Sequence, residues 1–363
     1  MARKLAFDKT LFAAGIGLTL FGLVMIFSAS APLAIANYKN PYHFLMRQIL
    51  ACVIGLVGMA IAMHLDHRKL LSRPVMFTTL LLSTLLLAGV LFADRTHQVH
   101  RWIKLGPIQV QPSEIAKIAL ILYLASMLAR REDRINDWKT TLLPVGVVVG
   151  QMALLVYLEP DLGTATLYVL LAGLLLFLAG LRWGYVAAAG GAGLMGFVML
   201  ILAAPYRLRR IAAFMNPDDD PLGAGFQVRQ SILAVASGGL QGTSLGESRQ
   251  KLFFLPEPHT DFIFSVVSEE LGLLGSAAVI ALFGILFWRG VKAAAGAPDR
   301  GGYYLAMGLT LLLVLQAMIN IGVALGCLPT KGVPLPFLSY GGSSLVVNLF
   351  ALGLLLNVSQ HSA

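Results

Sequence analysis

Residues 249–272 read RQKLFFLPEPHTDFIFSVVSEELG, and a change of character inside this stretch decides the fold. Its first half is loop chemistry: two cations (Arg249, Lys251), an acid between prolines (Glu257), then His259, Thr260 and Asp261. From Phe262 the chain turns apolar for the length of a membrane helix. Asp261 therefore stands where water meets lipid, a poor place for a carboxylate that only packs. Thr260 and Asp261 are also good helix-capping residues, so a solvated cap stands beside chemistry as a reading of this point.

The rest of the chain has the same alternation. Hydrophobic residues make up 57% of the 363 positions and charged ones 12%, with mean hydropathy +0.78. A soluble domain carries roughly 25% charge, so this is an all-α polytopic membrane protein. A span needs about 20 mostly apolar residues, which gives ten: 11–30, 47–64, 75–93, 112–129, 141–158, 162–181, 184–205, 262–288, 303–326 and 343–359. Arg3, Lys4 and Lys9 precede the first, and Ser28–Ala31 resembles a cleavage site, but the apolar run exceeds a usual signal core and reads as an uncleaved helix. With the N-terminus cytoplasmic, short inside segments hold fourteen Lys and Arg against six outside. The positive-inside rule then puts both termini in the cytoplasm. Residues 1–363 form a single transmembrane domain, and 206–261 make one large extracytoplasmic loop with a short amphipathic helix at 227–237. The net charge of +9 fits basic loops beside anionic lipid, and no nucleic-acid recognition fold accompanies it. Cys52 and Cys327 lie about 275 positions apart and read as small hydrophobes, with neither disulfide nor metal spacing.

Four polar constellations fall at outside ends of spans. In the first, Arg101 and Lys104 lead to Gln111-Pro112-Ser113-Glu114, where Pro112 suits a helix start. Glu114 and Lys117, three apart, share a helix face. Ionisable groups entering a span usually face a cavity or each other, so a self-satisfied ion pair is the alternative to a functional pair. The second is the turn Glu159-Pro160-Asp161-Leu162-Gly163, for which turn and cap chemistry accounts well. The third is the long loop ending at Asp261, with Arg210 and Lys251 within it. The fourth runs from Leu328 through Lys331, three prolines and Ser339 to Gly341-Gly342; such irregular backbone at a membrane edge lines a cavity or lies inside protein. Together they surround one outward mouth. A carboxylate there suits a general base, and cations suit a phosphate leaving group.

At these residues the chain resembles the SEDS family of peptidoglycan polymerases. The resemblance rests on Arg101-Trp102-Ile103, on Gln111-Pro112-Ser113-Glu114 with Ala116-Lys117, and on Pro160 to Ala165. Gln250 to Phe264 and Pro334 to Ser344 continue it, in family order over nearly the whole chain. Leu328-Pro329-Thr330-Lys331-Gly332 and Gly225-Phe226-Gln227 look more like the division (FtsW) branch than the elongation (RodA) branch. The resemblance implies a bacterial cytoplasmic-membrane glycosyltransferase that polymerises lipid II with a class B penicillin-binding protein as partner. It makes Asp261 the essential acid. Arg101, Glu114, Lys117, Asp161, Arg210, Lys251, Lys331 and Ser339 are the expected substrate-binding residues. No cofactor is implied, although a divalent cation could assist pyrophosphate departure. The stretch Gly239–Gly246 departs from the family pattern through Gln241, Thr243 and Ser244, and Glu247 follows where a neutral residue is expected.

The resulting expectation is single-displacement inversion, with Asp261 removing a proton from the acceptor 4-hydroxyl. Pyrophosphate leaves without acid assistance, so one carboxylate suffices. Two other classes fit a polytopic chain. A lipid II flippase should show repeat-related halves with broken helices in both; a noncatalytic division scaffold would need neither Asp261 nor Lys117.

Overall fold

The computed structural model describes residues 7–93, 101–105, 108–202, 224–252, 254–330 and 332–361, with 208, 212, 214 and 215 besides. Each of the ten expected spans is a helix. They are α1 (Lys9–Tyr38), α2 (His43–His64), α4 (Arg73–Ala93), α5 (Pro112–Arg130) and α6 (Leu143–Leu158). After these come α7 (Leu162–Leu178), α8 (Trp183–Leu202), α10 (Ile263–Ala295), α11 (Arg300–Ala324) and α12 (Gly342–Ser359). The short α3 (His67–Leu70) joins α2 to α4, and α9 (Ala224–Gly238) is the helix expected within the long loop. Among the described residues, eight helices are long and apolar enough to cross a membrane, and α7 is a shorter apolar helix. One small sheet departs from an all-helical reading: β1 (Ile103–Leu105) pairs antiparallel with β2 (Ile108–Val110), Ile103 opposite Val110.

Helix starts follow local chemistry. Pro112 opens α5 at its first turn, where its missing N–H costs nothing. Asp8 accepts from the amides of Thr10 and Leu11, Asp161 from that of Thr164, and Asp299 from that of Gly302, capping α1, α7 and α11. Asp8 also takes Arg289 Nε at 2.7 Å, while its own amide donates to Ser359 Oγ. The first and last helices are thus tied at one end of the bundle, opposite Asp261.

The centre of the bundle is α5 and α12, each with 83% of its apolar window buried, whereas only 22% of the α4 window is. Lipid tails are as apolar as Leu, so these helices associate through close packing rather than escape from water. Gly353 shows how close: a β-carbon on it would stand 2.5 Å from Met59 O of α2.

The apolar run that begins at Phe262 is not one continuous helix. Gly272 adopts φ 65°, ψ −159° inside α10 and breaks it. The freed groups find partners in the loop after α9. Thr243 and Ser244 donate their amides to the carbonyls of Glu269 and Glu270, while Leu273 and Leu274 donate to those of Gly239 and Leu240. The backbone of Gly239, Leu240, Thr243 and Ser244 therefore fills the break. Non-helical backbone at membrane depth survives when protein satisfies it in this way. A β-carbon on Gly272 would meet Leu240 O at 2.6 Å and the Gly242 amide more closely still. Gly272→Ala is expected to lower stability by about 1–3 kcal/mol, since this backbone region is essentially reserved for glycine. Gly284→Ala, on the same helix with open space around it, should change little. Thermal unfolding of both purified variants in one detergent checks the contrast.

Candidate functional site

Three consecutive carbonyls hold the Asp261 loop in place. His259 O accepts the Tyr340 amide at 2.8 Å. Thr260 O accepts Ser339 Oγ at 2.6 Å, and Asp261 O accepts Asn320 Nδ2 at 2.9 Å. Asn320 Nδ2 also donates to Val333 O at 2.9 Å, and Ser339 Oγ receives the Leu335 amide. The proline-rich segment is thereby locked to the 259–261 segment and to α11. From α2, the Gln48 side chain donates to Ser339 O and accepts the Gly341 amide. Ser339, expected to bind substrate, is buried and spends its hydroxyl on this scaffold. Asp261 itself is half-buried. Gly332 lies against it: a β-carbon there would stand 3.5 Å from Asp261 Oδ2.

His259 packs its ring 4.6 Å from that of Phe44 and 5.4 Å from that of Tyr340. Burial pushes its pKa down to about 4, so the imidazole is neutral at physiological pH. Its 3.8 Å approach to Glu257 is then a dipolar contact rather than an ion pair. Beside this cluster an apolar groove of about 400 Å³ runs between α2, α12 and the β1–β2 hairpin. Thr260 and Arg47 stand at its polar end, and Leu50, Ile54 and Val346 line it. The exposed Arg47 bonds the Tyr340 side chain.

Glu114 and Lys117 form a buried pair at 2.8 Å, and Lys117 Nζ also donates to Gln316 at 2.9 Å. Gln316 and Asn320 are four apart on α11, hence on one face and about 6 Å from each other along the axis. One helix face thus carries both the ammonium of Lys117 and the backbone of Asp261. Arg101 reaches across from the hairpin and donates to the carbonyls of Glu159 and Pro160. Asp161 accepts the Thr164 amide and hydroxyl at 3.0 and 2.9 Å, a cap buried in the turn.

Glu159, in that turn, has both carboxylate oxygens buried with no hydrogen-bond partner. Burial, with the Asp161 charge adding to it and Arg101 opposing, pushes its pKa up to about 8. Between the usual carboxylate range and that value, the folded chain holds a proton that the unfolded chain releases, so stability falls as pH rises through this window. Glu159→Gln removes the ionisation. Its gain over wild type is expected to grow from near zero at pH 4.5 to about 4 kcal/mol at pH 8, each pKa unit of the rise to about 8 being worth about 1.4 kcal/mol. Unfolding at several pH values measures it; a gain independent of pH would show that Glu159 is not the titrating group.

Lys251 lies away from these residues. Its ammonium donates to Glu270 at 2.8 Å, Ser28 Oγ at 3.1 Å and Gly246 O at 2.7 Å. The adjacent Glu269 accepts the Ser248 hydroxyl and the Arg249 amide. Two neighbouring acids of one helix thus hold the loop on which Lys251 lies. Arg210 and Lys331 lie outside the described residues. Ser28, Gln48, Glu269, Glu270, Gln316 and Asn320 carry no expectation from the sequence reading. A signal existed for several: Glu269-Glu270 inside an apolar run and the Gln316/Asn320 spacing are polar groups in spans, which rarely lack a role. Among the described residues no three His, Cys, Asp or Glu side chains converge on a metal position. A divalent cation assisting pyrophosphate would take its ligands chiefly from the phosphates, with one or two carboxylates.

Residues 8–363 match the family described as cell cycle protein FtsW/RodA/SpoVE. Stage V sporulation protein E of Bacillus subtilis is 42% identical over 99% of both chains. The probable peptidoglycan glycosyltransferase FtsW of Geobacter sp. (strain M18) is 41% identical over 99% of both. Among solved structures, a chain of a peptidoglycan synthase complex, described as coordinating polymerization and crosslinking, superposes with TM-score 0.78 at 32% identity, covering 98% of each chain. The rod shape determining protein RodA of Thermus thermophilus superposes with TM-score 0.72 at 31% identity, covering 98% of this chain and 97% of that one.

Proposed function

This chain belongs to the FtsW/RodA/SpoVE family, and from that membership we propose how its polar mouth works as a peptidoglycan glycosyltransferase. It is a multi-pass membrane enzyme, with FtsW and SpoVE relatives at about 42% identity. The donor is a polyprenyl-pyrophosphate-linked disaccharide chain and the acceptor is lipid II. Asp261 takes the proton of the acceptor 4-hydroxyl as that oxygen attacks the donor anomeric carbon. The C–O bond to pyrophosphate breaks on the opposite face, the electron pair leaves with the phosphate, and the configuration inverts. The observation that carries this reading is the clamping of carbonyls 259–261, which fixes one half-buried carboxylate beside a groove. A general base acts only from a set position, and three hydrogen bonds to its own segment supply that position.

The groove suits the polyprenyl tail, with its apolar walls at membrane depth and Arg47 at the Thr260 end for a phosphate. Lys117 and Glu114 act from beneath: their buried pair, through Gln316 and α11, supports the Asp261 loop, and its positive end adds to the field at the departing phosphate. Arg101 braces the Glu159 turn. Arg210 and Lys331 remain proposed substrate contacts of the same mouth, whereas Lys251 is committed to its buried pair with Glu270. Termini in the cytoplasm and a mouth on the outer surface follow from the loop charges. A class B penicillin-binding protein is the proposed partner, supported by the likeness to a chain of a synthase complex.

The test is to supply labelled lipid II to the purified chain with its cognate transpeptidase and separate products by length. Glycan strands are expected. Lipid II crossing proteoliposome membranes without strand formation would replace this reading with the flippase.

A further inference from the structure

At the end of the bundle where Asp8 meets Ser359, opposite Asp261, a cleft of about 740 Å³ opens between α4, α5 and α6. Arg73, Arg130 and Arg131 line it, and no acidic residue does. Of the neighbouring acids, Glu132 pairs with Arg300 at 2.9 Å, Asp137 accepts the amides of Lys139 and Thr140, and Asp133 is exposed and does not line the cleft. Arg130 has two bonds to protein, to Leu71 O and Ser126 Oγ. Arg131 Nη1 is buried with no hydrogen-bond partner. A buried guanidinium nitrogen without an acceptor is costly and calls for an anion. The remaining wall is apolar and reaches the bundle surface, with Phe77 of α4 58% and Val147 of α6 57% exposed. Trp138 and Trp183, at the same end, are 59% and 72% exposed, as tryptophans are at the level of lipid headgroups.

We propose that this cleft is a binding site for an anionic phospholipid of the inner leaflet, its phosphate held by Arg73, Arg130 and Arg131 and an acyl chain lying along Phe77 and Val147. A soluble anion would satisfy the arginines but leave the apolar wall to other lipids; a zwitterionic lipid would bring a cation to a site that already holds three. An anionic diacyl lipid matches both halves, and basic pockets between helices on the cytoplasmic side recognise such headgroups. The site joins the ends of α4, α5 and α6, so its lipid would brace the far end of the helix that carries Glu114 and Lys117.

The experiment is native mass spectrometry of the purified full chain, equilibrated with equal amounts of phosphatidylglycerol and phosphatidylcholine. Retention of phosphatidylglycerol about tenfold over phosphatidylcholine is expected, with loss of that preference in Arg73→Gln/Arg131→Gln. Val147→Trp keeps every charge and fills the apolar wall, and it should lower phosphatidylglycerol retention as well. Arg182→Gln, on the same end outside the cleft, should retain wild-type preference. Equal retention of the two lipids by wild type, or unchanged preference in both cleft variants, would overturn the proposal. So would displacement of the bound lipid by millimolar inorganic phosphate, which would make the arginines a free-anion site.

Discussion

Asp261→Asn is expected to cut glycan synthesis from lipid II by about 10²–10⁴-fold, the range a positioned general base contributes. The amide keeps the size and shape of the carboxylate but cannot take the acceptor proton at neutral pH. The hydrogen bonds that clamp this segment use the backbone carbonyls of His259, Thr260 and Asp261, which the substitution leaves in place, so the variant should keep its fold. Strand length on a gel gives the activity, and thermal unfolding of the same preparation gives the control. A folded Asp261→Asn chain that polymerises at the wild-type rate would remove the base assignment and leave Asp261 a structural residue. Asn320→Leu sharpens the comparison, because it removes the donor to Asp261 O and Val333 O while leaving the carboxylate intact. It should weaken activity and stability together, whereas Asp261→Asn leaves both of these bonds in place.

Glu270→Ala should destabilise the protein by about 3–5 kcal/mol, the cost of breaking a buried pair from one side. Glu270 is fully buried and Lys251 nearly so. The lysine would keep only Ser28 Oγ and Gly246 O as acceptors for a charge that the protein interior cannot otherwise solvate. Ser28 would lose both of its carboxylate contacts. Glu270→Gln/Lys251→Met, which removes both charges at similar volume, should recover most of the loss, because much of the penalty is the stranded charge rather than the lost attraction. Unfolding in a fixed lipid–detergent mixture measures all three proteins. A Glu270→Ala chain as stable as wild type would mean that Lys251 is solvated or finds another acceptor, and that the pair does not hold the 246–251 loop to α1 and α10.

The helices were legible for a simple reason. Burial in a bilayer is a sum over about 20 consecutive residues, and such a sum tolerates individual exceptions; hence every expected span is present and Pro112 marks the start of α5 as its chemistry requires. Asp261 was legible because its position is defined by a local contrast, polar loop before and apolar helix after. The Glu114–Lys117 pair was legible because three-residue spacing on a helix is itself a statement about contact.

The remaining contacts depend on residues far apart in the chain. Nothing local distinguishes Lys251, which neutralises Glu270 in a buried pair, from Arg47, which stands exposed beside the groove. No period in 262–288 announces the break at Gly272, because its cost is met by amides and carbonyls of residues 239–244, about thirty positions earlier. Asp161 and Ser339 read as mouth residues, yet the fold commits the first to a helix cap and the second to the loop scaffold. Hydropathy and capping act over a few residues and are written in the chain itself. Which acceptor a buried donor meets depends on helix packing, and only the folded bundle places Asn320 against Asp261 or Glu270 against Lys251.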